Sequence, residues 1–197
     1  MPARLGIVGD SQSEGLSRRL VPLLEQKGFR VVGTQLQRGM SLANMRRSSE
    51  RRSHAKAVAD RSDVLVVILG GNNRVTDEQT YRDHVRWFLD QVASHPREIW
   101  WVGPAASIHP DWSSSHATTR QLQRKILPGQ GRVSWIDAWP MTESGIQYAP
   151  DQLHFTRQGY DEWASRLINQ LPPSNLGLLI GAALFGAAVG AFLAMRR

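Results

Sequence analysis

Residues 5–11 of this 197-residue chain have the sequence LGIVGDS. The four apolar residues 5–8 predict a buried β-strand, and Gly9, Asp10 and Ser11 follow at the point where it ends. In open α/β sheets, the loops after the carboxyl ends of parallel strands carry ligand-binding and catalytic groups. Ser11 is therefore a candidate nucleophile at a strand end.

The same succession of strand and helix recurs along most of the chain. Apolar runs predict strands at residues 5–8, 29–35, 64–69, 98–102 and 133–137. Helical periodicity predicts helices at residues 13–27, 41–61, 76–94, 115–127 and 157–171, with Thr76 and Gln79 forming a capping box. Residues 103–113 and 138–155 are predicted to be loops. The alternation predicts an α/β fold with a five-stranded parallel sheet and helices on both faces.

A second group of polar residues lies near the end of the predicted α/β domain. Asp151 precedes His154 by three residues, so one turn or tight loop can bring the two side chains together. Histidine is the usual general base for a serine hydroxyl, and an aspartate can fix the tautomer of the imidazole. Chain order is free in such triads, so Ser11, His154 and Asp151 form a candidate catalytic set.

Each of these residues also has a structural interpretation. Asp10 is a suitable cap for the first helix, and the run Gly70-Gly71-Asn72-Asn73 is typical of a plain turn after a strand. Asp151 could cap the last helix, which would leave His154 as an ordinary loop histidine. The presence of all these groups in one chain favours the catalytic interpretation.

Four blocks in this order resemble the SGNH hydrolases, also called the GDSL family of esterases and lipases. The blocks are Gly9-Asp10-Ser11, Gly39, Gly70-Gly71-Asn72 and Asp151-Gln152-Leu153-His154, and the resemblance spans residues 3–171. It implies a flavodoxin-like strand order in a three-layer sandwich. It further implies that Ser11, His154 and Asp151 are catalytic.

The resemblance also implies an oxyanion hole. Its donors would be the backbone N–H groups of Ser11 and Gly39 and the side-chain amide of Asn72, with Gly33 as a rival for the glycine position. The chain departs from the family at two positions: Gln12 stands where Leu or Ile is frequent, and Asn73 stands where Asp is frequent. These departures bear on the subfamily and hence on the substrate.

Composition limits the chemistry further. The chain has no cysteine, which excludes disulfides, thiolate catalysis and cysteine-ligated zinc. The other five histidines show no metal-ligand spacing, so we expect neither a metal nor a cofactor. The net charge of +7 is compatible with nucleic acid, an anionic membrane face or an acidic polymer, but the arginine-rich composition has a simple explanation in a GC-rich genome.

Three further residues are candidates for contact with substrate. His109 and Trp112 belong to the predicted loop after the fourth strand, which should overhang the site. Trp139 belongs to the predicted loop after the fifth strand. An aromatic ring exposed in a loop can stack on a sugar, although a plain surface loop is the simpler interpretation of residues 109–112.

The C-terminal residues differ from the rest. Residues 172–175 form a Pro-rich linker, residues 176–195 carry no charge, and Arg196-Arg197 follow. Twenty apolar residues in a helix span roughly 30 Å, the thickness of a bilayer core, so we predict a single-pass membrane anchor after a domain at residues 1–171. Glycines at four-residue spacing in this segment favour self-association.

These observations predict a membrane-anchored serine esterase that removes acyl groups, O-acetyl groups among them, from a carbohydrate or a lipid. A non-catalytic, membrane-anchored module of a cell envelope or of a membrane-containing virus particle is the alternative. Binding of nucleic acid is suggested by the charge alone and is not expected. No apolar leader is recognisable before residue 5, and without one the domain would stay on the side of the membrane where it is made. The two terminal arginines prefer that same side by the positive-inside rule, although they lie at the other end of the anchor. The two observations therefore conflict over the side of the membrane that the domain occupies.

Overall fold

The computed structural model describes residues 1–92 and 95–173. Five strands form one sheet in the order β2-β1-β3-β4-β5, and all neighbouring pairs are parallel. The strands are β1 (Ala3–Gly9), β2 (Phe29–Leu36), β3 (Val64–Ile68), β4 (Glu98–Val102) and β5 (Val133–Ile136). This confirms the predicted five-stranded parallel sheet and its flavodoxin-like order.

Helices cover both faces of the sheet. They are α1 (Ser11–Gln26), α2 (Leu42–Arg47), α3 (Ser49–Ala59), α4 (Glu78–Gln91), α5 (Pro110–Ile126), α6 (Trp139–Thr142) and α7 (Arg157–Ile168), with a 3-10 turn at Leu127–Gly129. Helices α1 and α7 pack on one face, and α2 to α5 pack on the other. Side chains alternate along each strand, so that Trp100 enters the first core and Trp101 the second.

The helix predicted at residues 41–61 is in fact two helices. Ser48 ends α2 in an extended conformation, and its side chain accepts a hydrogen bond from the backbone N–H of Arg51 to begin α3. Serine competes for backbone hydrogen bonds in this way and favours helix starts over helix interiors. The prediction of one continuous helix was therefore wrong.

The capping box at Thr76 was also misplaced by one residue. Asp77 is the N-cap of α4, and its carboxylate accepts the backbone N–H of Thr80 at 2.7 Å. An aspartate N-cap also places negative charge at the positive end of the helix dipole. Helix α4 then ends at Gln91, before residue 94.

Two segments predicted to be loops contain helices. Helix α5 begins at Pro110, where the fixed φ of proline suits the first helical turn, and His109 is its N-cap, accepting the backbone N–H of Asp111 at 3.1 Å. Trp112 thus lies in a helix. Trp139 begins α6, where its N–H donates to Asp137 at 3.2 Å.

The predicted membrane anchor at residues 176–195 lies outside the described residues. Within residues 1–92 and 95–173, no helix has the length and apolar character needed to cross a membrane.

Candidate active site

Three of the four sequence blocks follow adjacent strands at one edge of the sheet. Ser11 begins α1 directly after β1, Gly39 follows β2, and Asn72 follows β3. Strand β1 lies between β2 and β3. From β1 the chain adds β2 on one side and then returns to add β3, β4 and β5 on the other side, so the strand order reverses at β1. A crevice at such a switch point is the usual binding site of an open α/β sheet.

Ser11, His154 and Asp151 form a continuous chain of short polar contacts. The Oγ atom of Ser11 lies 3.0 Å from Nε2 of His154, and Nδ1 of His154 lies 2.7 Å from Oδ2 of Asp151. When the Nδ1 proton is donated to the carboxylate, Nε2 is free to accept the serine proton. This is the geometry that general-base activation of a serine hydroxyl requires.

Residues 149–155, here called the His154 loop, hold the Asp151 carboxylate in place. Its Oδ1 accepts the backbone N–H groups of Leu153 at 3.1 Å and His154 at 2.9 Å. Burial acts to raise the pKa of Asp151, but the hydrogen bonds from the side chain and backbone of His154 and from Leu153 outweigh it and lower the pKa to about 2. Asp151 is therefore ionised at neutral pH.

The cap of helix α7 is a different residue. Thr156 occupies the N-cap position, and its hydroxyl accepts the backbone N–H of Gly159 at 3.2 Å. The alternative in which Asp151 caps this helix is thus wrong. The Asp151 carboxylate instead accepts hydrogen bonds within the His154 loop.

Asp10 differs from Asp151 in its surroundings. It is the N-cap of α1, accepting the backbone N–H of Gln12 at 3.0 Å, so the capping interpretation of Asp10 is confirmed. The residue is 2% exposed. Burial raises its pKa to about 6 even though Gln12, the Asn72 side chain and the backbone of Gly71 donate hydrogen bonds to it.

The Asp10 carboxylate also contacts Asn72. Its side-chain amide donates to the carboxylate of Asp10, the residue directly before Ser11. An asparagine amide has two N–H donors, so one remains for another acceptor beside Ser11. The run Gly70 to Asn73 thus places a side-chain amide against the residue directly before Ser11.

Helix α5 supports the turn that carries Asn72, a contact that no sequence pattern indicates. In residues 70–75, here called the Asn72 loop, the carbonyl oxygen of Gly71 lies 3.1 Å from Nε2 of His116, whose Nδ1 lies 2.8 Å from the carbonyl oxygen of Ala105. The imidazole is fully buried, and burial lowers the pKa of His116. The spacing of His116 in the sequence indicates no metal site, and the sequence predicts no other role for it.

Asn73 fixes the same loop from a second side. Its side-chain amide donates to the hydroxyl of Thr119 at 2.9 Å and to the carbonyl oxygen of Val75 at 3.0 Å. The hydroxyl of Ser115 donates to the Asn73 carbonyl oxygen at 2.7 Å. The departure from the family at this position is therefore an anchor of the Asn72 loop on α5.

Gly39 and its rival Gly33 occupy different kinds of position. Gly33 lies within β2, paired with Gly6 of β1, and so it is away from the strand ends. Gly39 follows the strand with φ +68°, and its carbonyl oxygen accepts from the side chain of Asn44 at 2.9 Å. Only Gly39 of the two has a backbone N–H at the edge of the sheet that carries Ser11.

The three residues predicted to contact substrate, His109, Trp112 and Trp139, have different surroundings. The Nδ1 atom of His109 accepts a hydrogen bond as the cap of α5. Trp112 lies edge-on to His116, with ring centroids 6.2 Å apart, and the guanidinium of Arg74 lies 3.8 Å from its ring centroid. Trp112 is thus placed against the outer side of the Asn72 loop, with one ring face covered by an arginine.

Trp139 lies farther from the serine block. It follows β5, which is separated from β1 by β3 and β4. Its ring faces the guanidinium of Arg120 at 5.4 Å, and that guanidinium pairs with Asp137 at 2.7 Å. This tryptophan is part of a charged cluster at the end of β5.

The chain belongs to the family described as "Protein of unknown function (DUF459)", whose model matches residues 4–170. No curated protein sequence matches it.

Solved structures with the same fold include enzymes that act on acyl esters. The C-terminal catalytic domain of peptidoglycan O-acetyltransferase A from Streptococcus pneumoniae has a TM-score of 0.61 at 16% identity, covering 87% of this chain and 93% of that one. A catalytic mutant of an acetylxylan esterase from Geobacillus stearothermophilus has a TM-score of 0.66 at 14% identity, covering 85% and 93%. An α/β hydrolase from the metagenome of Lake Arreo, Spain, has a TM-score of 0.64 at 14% identity, covering 85% and 94%. The resemblance to SGNH hydrolases is thereby confirmed, and these identities establish a shared fold.

Proposed function

We propose that this protein is a serine hydrolase of acyl esters. The observation that carries the proposal is the contact chain from Ser11 Oγ to His154 Nε2 at 3.0 Å and from His154 Nδ1 to Asp151 Oδ2 at 2.7 Å. Its position at the carboxyl end of β1 supports the same conclusion, because the substrate would enter the crevice at the switch point.

In the first half of the reaction, the Ser11 hydroxyl attacks the ester carbonyl carbon while Nε2 of His154 takes the serine proton. The negative charge that develops on the carbonyl oxygen is stabilised by the N–H groups of Ser11 and Gly39 and by the free N–H of Asn72. The imidazolium then gives its proton to the departing alcohol oxygen, and the acyl group stays on Ser11.

In the second half, water replaces the alcohol. His154 takes a proton from the water as it attacks the acyl carbon, and returns that proton to Ser11 Oγ when the carboxylic acid leaves. Asp151, ionised because its pKa is about 2, stabilises the imidazolium at both stages. No redox step occurs, and the net reaction is ester plus water to acid plus alcohol.

The substrate class we propose is a small acyl ester, such as an O-acetyl group, on a carbohydrate or a lipid. Support comes from two proteins of similar structure, an acetylxylan esterase and a peptidoglycan O-acetyltransferase. Trp112 is half-buried beside the Asn72 loop, and we propose that its ring contacts the sugar.

We further propose that residues 176–195 anchor the domain in a membrane, and that the glycines of this segment mediate self-association there. The support is the sequence itself, with twenty uncharged residues before Arg196-Arg197. Resistance of the full-length protein to extraction by alkaline carbonate would support the anchor, and release of the intact chain by carbonate or high salt would contradict it.

The decisive experiment measures turnover of p-nitrophenyl acetate by the detergent-purified full chain and by its Ser11→Ala variant. Loss of the hydroxyl should lower kcat by about three or more orders of magnitude. Ser114, which is exposed on α5, provides a matched control, because Ser114→Ala should leave turnover unchanged. A fluorophosphonate should label Ser11 covalently in the wild type.

Two results would contradict the proposal. Labelling of another residue would mean that the nucleophile is misassigned. Absence of both turnover and labelling in a folded protein would favour the non-catalytic, membrane-anchored module instead.

A further inference from the structure

Gln12, the residue after the nucleophile, is buried and uses both ends of its side chain. It is 5% exposed. Its Nε2 donates to the carbonyl oxygen of Leu153 at 2.6 Å, and its Oε1 accepts from the hydroxyl of Tyr160 at 3.1 Å. The leucine or isoleucine that is frequent here in SGNH hydrolases could make neither bond.

The bond to Leu153 enters the His154 loop between the two groups that the reaction uses. The loop also has internal hydrogen bonds, such as Ala149 N–H to the His154 carbonyl oxygen at 2.8 Å, and a longer external one from the Ser107 hydroxyl to the Gln152 carbonyl oxygen at 3.5 Å. The loop also contains Gln152 at φ +57°, a left-handed conformation that costs energy for a residue with a side chain. An external hydrogen bond next to a strained residue restricts where the loop lies relative to α1.

Tyr160 fixes the orientation of the Gln12 amide. Its ring packs against Gly15 of α1, where a Cβ would come within 2.3 Å of the ring, so the close approach of α7 to α1 depends on a glycine. Burial raises the pKa of the Tyr160 phenol. The hydroxyl therefore stays protonated and donates a hydrogen bond to Oε1. With Oε1 occupied by a donor, Nε2 of the same amide faces Leu153.

We infer that Gln12 and Tyr160 are positioning residues that hold the Leu153 carbonyl, and with it His154 Nε2, at hydrogen-bond distance from Ser11 Oγ. Gln12 follows Ser11 directly at the start of α1, so the same helical turn sets the position of the nucleophile and of its base. This inference rests on the proposed hydrolase function for its kinetic consequence, and its structural content stands without that function.

The first test is kinetic and uses p-nitrophenyl acetate with the full chain. Gln12→Leu removes both hydrogen bonds at similar volume, and we expect kcat to fall by about tenfold to hundredfold with little change in KM, as a small displacement of a catalytic group does. Tyr160→Phe should cost less. The hydroxyl of Tyr160 also accepts the backbone N–H of Phe155 in the His154 loop. The double variant should therefore lose more than Gln12→Leu alone but less than the product of the two single losses, because Tyr160 acts in part through Gln12.

A matched control and a contrary outcome complete this test. Gln26→Leu makes the same replacement at an exposed position near the end of the same helix, and it should leave kcat unchanged. Wild-type kcat in Gln12→Leu, or losses that simply multiply in the double variant, would overturn the inference.

The second test uses pH to restore the donor. In Gln12→Glu, a neutral carboxylic acid can donate to Leu153 and accept from Tyr160 as the amide does, whereas the ionised carboxylate would repel the Leu153 carbonyl oxygen. The ratio of variant to wild-type kcat should therefore rise as the pH falls from 9 to 6. Taking the ratio cancels the pH effects that both proteins share, the titration of the neighbouring Asp10 with its pKa of about 6 among them, and a ratio independent of pH would count against the positioning role of Gln12.

The third test does not need catalysis. Hydrogen exchange of the backbone amides of residues 152–155 should accelerate in Gln12→Leu and stay at the wild-type rate in Gln26→Leu. If the wild type neither hydrolyses esters nor reacts with a fluorophosphonate, the proposed function fails, and this measurement still tests the positioning role of Gln12. Unchanged exchange in Gln12→Leu would refute it.

Discussion

The two sides of the candidate site are built in opposite ways, and their carboxylates show this most clearly. Asp10, between β1 and Ser11, is almost fully buried, and burial raises its pKa to about 6. Asp151, in the His154 loop, has 52% of its side chain exposed, and its hydrogen bonds lower the pKa to about 2. The two aspartates thus have opposite pKa shifts, because Asp10 is buried and Asp151 is exposed and hydrogen-bonded.

The supports of the two sides differ as well. The nucleophile side is fixed by strand ends and by buried contacts with α5, such as His116 on Gly71. The base side is the His154 loop, which is hydrogen-bonded to α1 through Gln12. We therefore expect changes on the base side to act chiefly on catalysis, whereas changes at Asp10 act chiefly on folding stability.

The largest expected effect belongs to the base side. His154→Ala should lower kcat for p-nitrophenyl acetate nearly as much as Ser11→Ala does, and Asp151→Asn should cost up to about 10⁴-fold, because an asparagine no longer fixes the tautomer. Steady-state kinetics together with urea unfolding check this. Since Asp151 is largely exposed, the free energy of unfolding at pH 7 should change little, and near-normal turnover in His154→Ala would contradict the triad.

A smaller loss is expected at Asn72, on the nucleophile side. Asn72→Ala removes one oxyanion donor and should raise the activation barrier by about 2.7–4 kcal/mol. The loss should appear in kcat, measured by stopped-flow turnover, with KM nearly unchanged. An effect confined to KM would mean that the amide binds the ground state of the substrate instead.

Asp10 allows the stability half of the comparison to be tested. Its folded-state pKa of about 6 lies above the ordinary value of 3.8, so the native state binds more protons than the unfolded state between these values. Stability is therefore lost as the pH rises through this window. The full penalty, present above pH 6, corresponds to about 3 kcal/mol.

The Asp10→Asn variant keeps a good helix cap without the charge. Its free energy of unfolding should exceed that of the wild type by up to about 3 kcal/mol at pH 8 and by little at pH 4. Urea unfolding across this pH range provides the measurement. A difference between variant and wild type that stays constant with pH would mean that Asp10 is not the titrating group.

Much of this comparison could be predicted from the sequence, because it rests on local pattern. The strands are short apolar runs, and Ser11 and Asn72 immediately follow two of them. The spacing of Asp151 and His154 predicted their contact, since three residues can close a tight loop. A parallel sheet then brings strand ends together whatever the loops contain.

The parts that could not be predicted depend on contacts between distant residues. His116 is 45 residues from Gly71 and Tyr160 is 148 residues from Gln12, and no periodicity relates such pairs. Gln12 was recognised as a departure from the family, but its partners depend on how α7 packs on α1. The break at Ser48 was missed for a local reason, because serine in a basic amphipathic run fits either a helix interior or a cap.

The smallest effect we predict concerns the strain on the base side. Gln152 adopts φ +57°, which costs a residue with a side chain roughly 1–2 kcal/mol that glycine does not incur. Glycine in turn loses more conformational entropy on folding, by roughly 0.5–1 kcal/mol. Gln152→Gly should therefore leave the free energy of unfolding unchanged or raise it by up to about 1.5 kcal/mol. Gln37→Gly, at an exposed loop position without positive φ, incurs only the entropy term and should lower it by about 0.5–1 kcal/mol. Urea unfolding of both variants measures the difference in sign, and equal destabilisation would mean that the His154 loop is not strained at Gln152.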